Sequence, residues 1–145
     1  GHQRFLLLYL LGGFAGNTLS FLLSPEASLG ASTAIFGLVI AEVIFIYRNR
    51  QMFGTRARGM LINLVLIIVV NLLLGLSPGI DNWGHLGGLL GGALFSWTAG
   101  PVYALGIGST GYQLQDTHGK KETMLGALIT FAVFAAIAIS RILAG

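Results

Sequence analysis

The chain of 145 residues has no cysteine, so disulfides and thiol chemistry play no part in it. Charge is almost as scarce. Only 9% of residues are Asp, Glu, Lys or Arg, against about 25% in a soluble globular domain. That deficit excludes an ordinary soluble fold. Proline occurs 3 times, each time where an apolar block ends: Pro25, Pro78 and Pro101. No metal-ligand spacing, phosphate loop or nucleic-acid patch is present, and no cleavable signal peptide is visible in these residues. No metal or cofactor is expected, nor is nucleic acid a partner. The net charge of +3 comes from loop residues, which in a membrane protein set orientation.

What the chain does have is apolar length, with 54% hydrophobic residues gathered in blocks. Five blocks stand out, at 5–23, 31–47, 60–76, 82–99 and 124–143, each 17 to 20 residues long. In lipid a backbone must satisfy its own hydrogen bonds, so these runs read as helices. The fold class expected is all-α, a polytopic transmembrane helical bundle with five spanning helices. If Arg4 lies inside, alternation puts Arg48, Arg50, Arg56, Arg58, Lys120 and Lys121 inside too. Seven of the 8 basic residues then share one side, and only Arg141 falls outside. The outer loops carry Glu26 and Asp81 but no Lys or Arg, and Trp83 stands where an outer aromatic anchor belongs. The Gly-, Ser-, Thr- and Gln-rich stretch 101–123 reads as a cytoplasmic linker of about 20 residues. It divides the bundle at 1–100 from a helix appended at 124–145. The reading is of an integral, multi-pass protein of a bacterial plasma membrane. Its oligomeric state stays open.

Polar residues at membrane depth are costly and call for a reason. They are Asn17, Ser32, Glu42, Asn63, Asn71 and His85. Ser32 lies in the first turn of the block at 31–47 and His85 near the start of the block at 82–99. Both blocks start outside, so the two side chains come to similar depth. A serine within reach of a histidine is the minimum for an activated nucleophile. The helix start at Ser32 also offers free N–H groups and a positive dipole end to an oxyanion. On the other helix His85, Gly88 and Gly92 share a face within roughly 60°. The small-residue spacing there lets a neighbouring backbone approach while the imidazole reaches across. Phe36, one turn below Ser32, is placed to stack on the ring. The plainer readings are that Ser32 bonds back to its own helix and that the glycines only pack. Glu42 is expected to snorkel or to pair with a loop cation. Asn17, Asn63 and Asn71 are expected to bond between helices, and His2 and His118 receive no role.

The runs Gly30-Ala31-Ser32-Thr33-Ala34-Ile35-Phe36-Gly37 and Gly84-His85-Leu86-Gly87-Gly88-Leu89-Leu90-Gly91-Gly92 resemble the rhomboid family of intramembrane serine proteases. The resemblance implies a partial rhomboid-like core, with 5–99 as core helices three to six and 124–143 as an extra C-terminal helix. It implies Ser32 as nucleophile and His85 as general base, with Gly30, Ser32 and Thr33 as the nucleophile and oxyanion motif. Phe36 would support the histidine, and Gly88 and Gly92 would pack the helices. Transmembrane proteins in the lipid bilayer would be its substrates, and no cofactor would be needed. Two departures are visible. Thr33 stands where the family often has glycine, an added side chain that narrows the site. The family's second helix, which supplies a His and an Asn to the oxyanion hole, would lie before Gly1, and Asn17 does not replace it. The N-terminus therefore reads as a cut, and the 145-residue piece alone is expected to be inactive. Two other classes compete: a catalytically inactive rhomboid-like module that binds membrane proteins, and a transporter or channel fragment. The first has no need of both Ser32 and His85, and the second needs a polar path that the inner helix halves do not offer.

Overall fold

A computed structural model describes residues 1–25, 28–108 and 111–144. Glu26, assigned above to an outer loop, and Ser109 and Thr110 of the glycine-rich stretch lie outside the described residues. The elements are α1 (His2–Leu23), α2 (Ser32–Arg48), α3 (Arg50–Phe53), α4 (Arg56–Leu74), α5 (Asn82–Ala99), β1 (Tyr103–Gly108), β2 (Gly111–Asp116) and α6 (Lys120–Ala144).

The expectation of five spanning helices does not hold. Among the described residues, three helices are long and apolar enough to cross a membrane: α1, α4 and α6. The reason is visible in the other two. α2 has 17 residues, and its length falls short. α5 has 18 residues but includes Asn82, His85 and five glycines, which dilute its apolar content. The fold is a membrane-associated helical bundle, and these two helices pack within it rather than reading as spans.

Local chemistry sets the boundaries. α1 stops at Ser24-Pro25, because the residue before a proline is steered away from helix. Arg48 in the last turn of α2 suits the negative end of the helix dipole. The Asp81 carboxylate accepts a hydrogen bond from the Gly84 N–H at 2.9 Å, capping the start of α5. α5 ends at Gly100-Pro101, and proline has no N–H with which to continue the helix. Gly79, at φ 83°, supplies the left-handed backbone that turns the chain between α4 and α5.

α5 is the hub, and glycine is the reason. A Cβ on Gly87 would stand 2.5 Å from the Ala15 carbonyl oxygen of α1. One on Gly92 would stand 2.5 Å from the Gly37 Cα of α2. Gly91 meets Ala15, and Gly88 meets the Thr33 carbonyl. Gly87 and Gly91 thus seat α5 on α1, while Gly88 and Gly92 seat it on α2. Leu11, Phe95 and Ala99 form a small buried apolar cluster beside them. α6 closes on α1 and α5 through Phe131 stacked on Phe14 at 5.2 Å and through buried Phe134. α4 is peripheral: Ala57 is its one buried residue. A hydrogen bond from the Asn82 side chain to the Leu72 carbonyl, 3.1 Å, ties it to α5.

The stretch read as a linker contains a β-hairpin. β1 and β2 pair antiparallel from Tyr103↔Asp116 to Gly108↔Gly111. Its base is fastened to the bundle. The Tyr103 N–H donates to the Asn49 side-chain oxygen at 2.8 Å, and the Asn49 amide donates to the Pro101 carbonyl at 3.0 Å. Arg4 bonds the Asp116 carboxylate, the Thr123 hydroxyl and the His118 carbonyl. The bundle thus has two ends: a basic end carrying Arg4, Arg48 and the hairpin, and an opposite end carrying Ser28, Ser32, Asp81 and His85.

Candidate functional site

Ser32 opens α2, and its N-cap residue, Ala31, makes no side-chain cap bond to the first turn. The first N–H groups of an α-helix have no partner inside it. Here they stand beside the Ser32 hydroxyl. Gly30 also lies close: a Cβ built on it would be 3.7 Å from Ser32 Oγ. Ser32 is exposed, whereas Thr33 is buried. The Thr33 side chain fills a notch left by two glycines, since a Cβ on Gly16 or on Gly84 would stand 2.5 or 2.9 Å from it. The methyl-bearing side chain at this position therefore packs between α1 and α5 as well as bordering the site.

His85 sits in the first turn of α5, 8% exposed. Its Nε2 lies 3.0 Å from Ser32 Oγ. Phe36 stacks on the imidazole, with centroids 4.3 Å apart and planes 21° from parallel. The ring is held on one side by Phe36 and at one nitrogen by Ser32. Its other nitrogen, Nδ1, is buried and has no hydrogen-bond partner among the described residues. The arrangement is therefore a pair, with no carboxylate joined to the far nitrogen. For Nε2 to accept the hydroxyl proton, the ring proton must reside on Nδ1.

Asp81 escaped the reading of polar residues at membrane depth, because it lies in the loop just outside α5. It accepts from the Ser28 hydroxyl at 2.5 Å as well as from the Gly84 N–H. Burial alone would raise its carboxyl, but hydrogen bonds from Ser20, Ser28 and the Gly84 amide hold it below the usual carboxylate range. It joins the loop before α2 to the first turn of α5, the two segments that carry Ser32 and His85. An N-cap residue four positions before a histidine was the sequence signal that could have found it. A cleft of about 460 Å³ opens over the pair, lined among others by Asn17, Ser28, Gly30, Asp81 and Ile80.

The remaining candidates scatter. Asn17 is exposed and borders this cleft. Asn71 bonds to the Ile67 carbonyl of its own helix, and Asn63 is exposed with no side-chain hydrogen bond among the described residues. Among the described residues none of the three bonds between helices. Asn82 does that work between α5 and α4, and Asn49 ties the end of α2 to the hairpin. Glu42 is exposed and makes no ion pair among the described residues.

Residues 1–102 match the rhomboid domain family. The chain belongs to the rhomboid family. It is 46% identical over 93 residues to the rhomboid protease GluP of Bacillus subtilis, covering 63% of this chain and 18% of that protein. It is 42% identical over 98 residues to RHOMBOID-like protein 4 of Arabidopsis thaliana, covering 67% of this chain and 25% of that one. RHOMBOID-like protein 9, chloroplastic, of the same plant is 27% identical over 149 residues, which take in 99% of this chain and 34% of the relative. The chain thus spans between about a fifth and a third of the length of these curated relatives.

Proposed function

We propose that this rhomboid-family chain carries the Ser–His dyad of an intramembrane serine endopeptidase that cuts transmembrane proteins. The observation that carries the reading is the 3.0 Å separation of Ser32 Oγ from His85 Nε2 beneath an open polar cleft. In the first step Ser32 Oγ attacks the carbonyl carbon of the scissile peptide bond while its proton passes to His85 Nε2. The oxyanion that forms lies by the free N–H groups at the start of α2, where the positive end of the helix dipole favours it. His85 then gives its proton to the leaving amide nitrogen as the C–N bond breaks, leaving an acyl ester on Ser32. Water attacks that ester, again passing a proton to His85, and the Ser32 hydroxyl is restored. Phe36 keeps the ring in plane for both transfers. The proton transfers run through His85, and water supplies the second nucleophile.

A transmembrane substrate suits the setting, because the pair sits on helices bundled with three membrane-length ones. The test is labelling by a serine-directed fluorophosphonate in the membrane-embedded protein, with cleavage of a reporter carrying one transmembrane segment measured in parallel. Labelling and cleavage that both vanish in Ser32→Ala and in His85→Ala support the dyad. Labelling that survives Ser32→Ala overturns it. Reporter binding without labelling in the parent points to the non-catalytic binding module. Comparing the 145-residue chain with longer forms of the protein tests whether it works alone, and the proposal expects only the longer forms to cleave.

A further inference from the structure

The hairpin has two unlike faces. Side chains alternate along a strand, so Tyr103, Leu105 and Ile107 share one face with Tyr112 and Leu114 from the paired strand, and the one charge on that face, Asp116 at its base, is paired with Arg4. The other face carries Ala104, Gly106, Gln113 and Gln115. The apolar face is bare: Leu105 is 75% exposed, Ile107 84% and Tyr112 82%. An open apolar face of this kind needs a cover.

Its position says what the cover is. α1, α4 and α6 all start at the basic end, at His2, Arg56 and Lys120, so the hairpin lies where the membrane-length helices meet the headgroups. Arg48 and Arg50 border it, and Arg56, Arg58, Lys120 and Lys121 lie at the starts of α4 and α6 at the same end. The acids at this end are Asp116, already paired with Arg4, and Glu122, which accepts from the Gly119 N–H. A surplus of positive charge therefore faces outward. Between the hairpin and the α2–α3 turn runs a groove of about 750 Å³, lined by Arg48, Arg50, Met52, Tyr103, Leu105 and Leu114. Cations at one wall and aliphatic side chains at the other match an amphiphile with an anionic head. Deep insertion is excluded, because a two-stranded hairpin leaves edge N–H and C=O groups that hydrocarbon cannot satisfy.

We propose that β1–β2, with Arg48 and Arg50, forms an interfacial site for anionic phospholipid. The hairpin lies flat at the headgroup boundary with its apolar face toward the acyl chains. Asn49 and the Arg4–Asp116 pair fix its angle to the bundle.

The test uses the absence of cysteine. Ile107→Cys is labelled with a polarity-sensitive fluorophore, and the protein is reconstituted in phosphatidylcholine vesicles with or without one quarter phosphatidylglycerol. Quenching by neutral acrylamide is expected to fall several-fold when the anionic lipid is present. Quenching by a nitroxide at the top of the acyl chain is expected to rise. Each surface cation contributes about a five-fold factor to such attraction, so Arg50→Gln should weaken the composition dependence by about that one factor. Thermal unfolding of the labelled protein matched to the parent shows that the bundle is kept. Equal acrylamide quenching in the two compositions overturns the proposal. So does protection that grows with protein density at fixed lipid composition, which assigns the face to a second copy pairing at the strand edges.

Discussion

At the Ser32 end of the bundle the polar groups face a cleft. At the Arg4 end they close on one another. Ser32 and His85 meet each other beside Phe36, under a cleft bordered by Asn17, Ser28 and Asp81. Arg4 alone reaches the Asp116 carboxylate, the Thr123 hydroxyl and the His118 carbonyl, and Asn49 uses both its amide nitrogen and its oxygen to hold the hairpin. One end keeps hydrogen-bonding capacity in reserve. The other spends it on joining β1, β2 and α6 to the bundle. Both ends are positioned by α5, which starts beside Ser28 and finishes beside Asn49.

The comparison breaks most sharply at the cleft. In the longer forms of the protein, Ser32→Ala or His85→Ala is expected to cut reporter cleavage by about 10⁴-fold or more while leaving the melting temperature near that of the parent. Next comes Gly92→Val, which drives a side chain into Gly37 and forces α2 and α5 apart. It should lower stability by about 1–3 kcal/mol and abolish fluorophosphonate labelling together, read by thermal unfolding in detergent. A variant that stays stable yet loses labelling would show that the two helices can part at one end alone. Phe36→Leu keeps apolar bulk but removes the stack on His85, worth about 0.5–1.5 kcal/mol, so labelling should slow by about 3- to 10-fold. At the closed end, Asn49→Ala should speed amide exchange of Tyr103 by about 10-fold without changing the labelling rate at Ser32. The smallest effect is a pH dependence. Burial would raise the Asp116 carboxyl, but hydrogen bonds from the His118 N–H, Arg4 and the Val102 N–H hold it below its ordinary value of 3.8. A depressed folded-state value stabilises above the ordinary value and is lost as pH falls through the folded one. Protection of the hairpin amides should therefore be steady at neutral pH and decline only below 3.8.

The meeting of Ser32 with His85 was legible because it rests on topology: two helices starting on one side, and a glycine face that lets them approach. The family was legible in the same two runs of residues. The span count was not. Length and hydropathy were read from block edges, and α2 and α5 contain too few residues or too much glycine to qualify. The bonding asparagines were also missed. When a helix is apolar nearly all round, no amphipathic stripe reveals which face meets a neighbour, so Asn63 and Asn71 looked no different from Asn49 and Asn82. The hairpin hid behind composition. Its glycines suggested a linker, while the alternation of Tyr103, Leu105 and Ile107 carried the strand period.

The glycine seat of α5 has a consequence for how this molecule fails on warming. Where side chains form a contact, heat loosens it gradually as rotamers multiply. Backbone resting on backbone at Gly87, Gly88 and Gly92, and on the rotamer-free Ala15 methyl at Gly91, has no rotamers to populate. The spacing between Ser32 and His85 is then insensitive to temperature until the helices themselves separate. The Ser32–His85 contact and the bundle should melt as one event, with no warm, softened state in between.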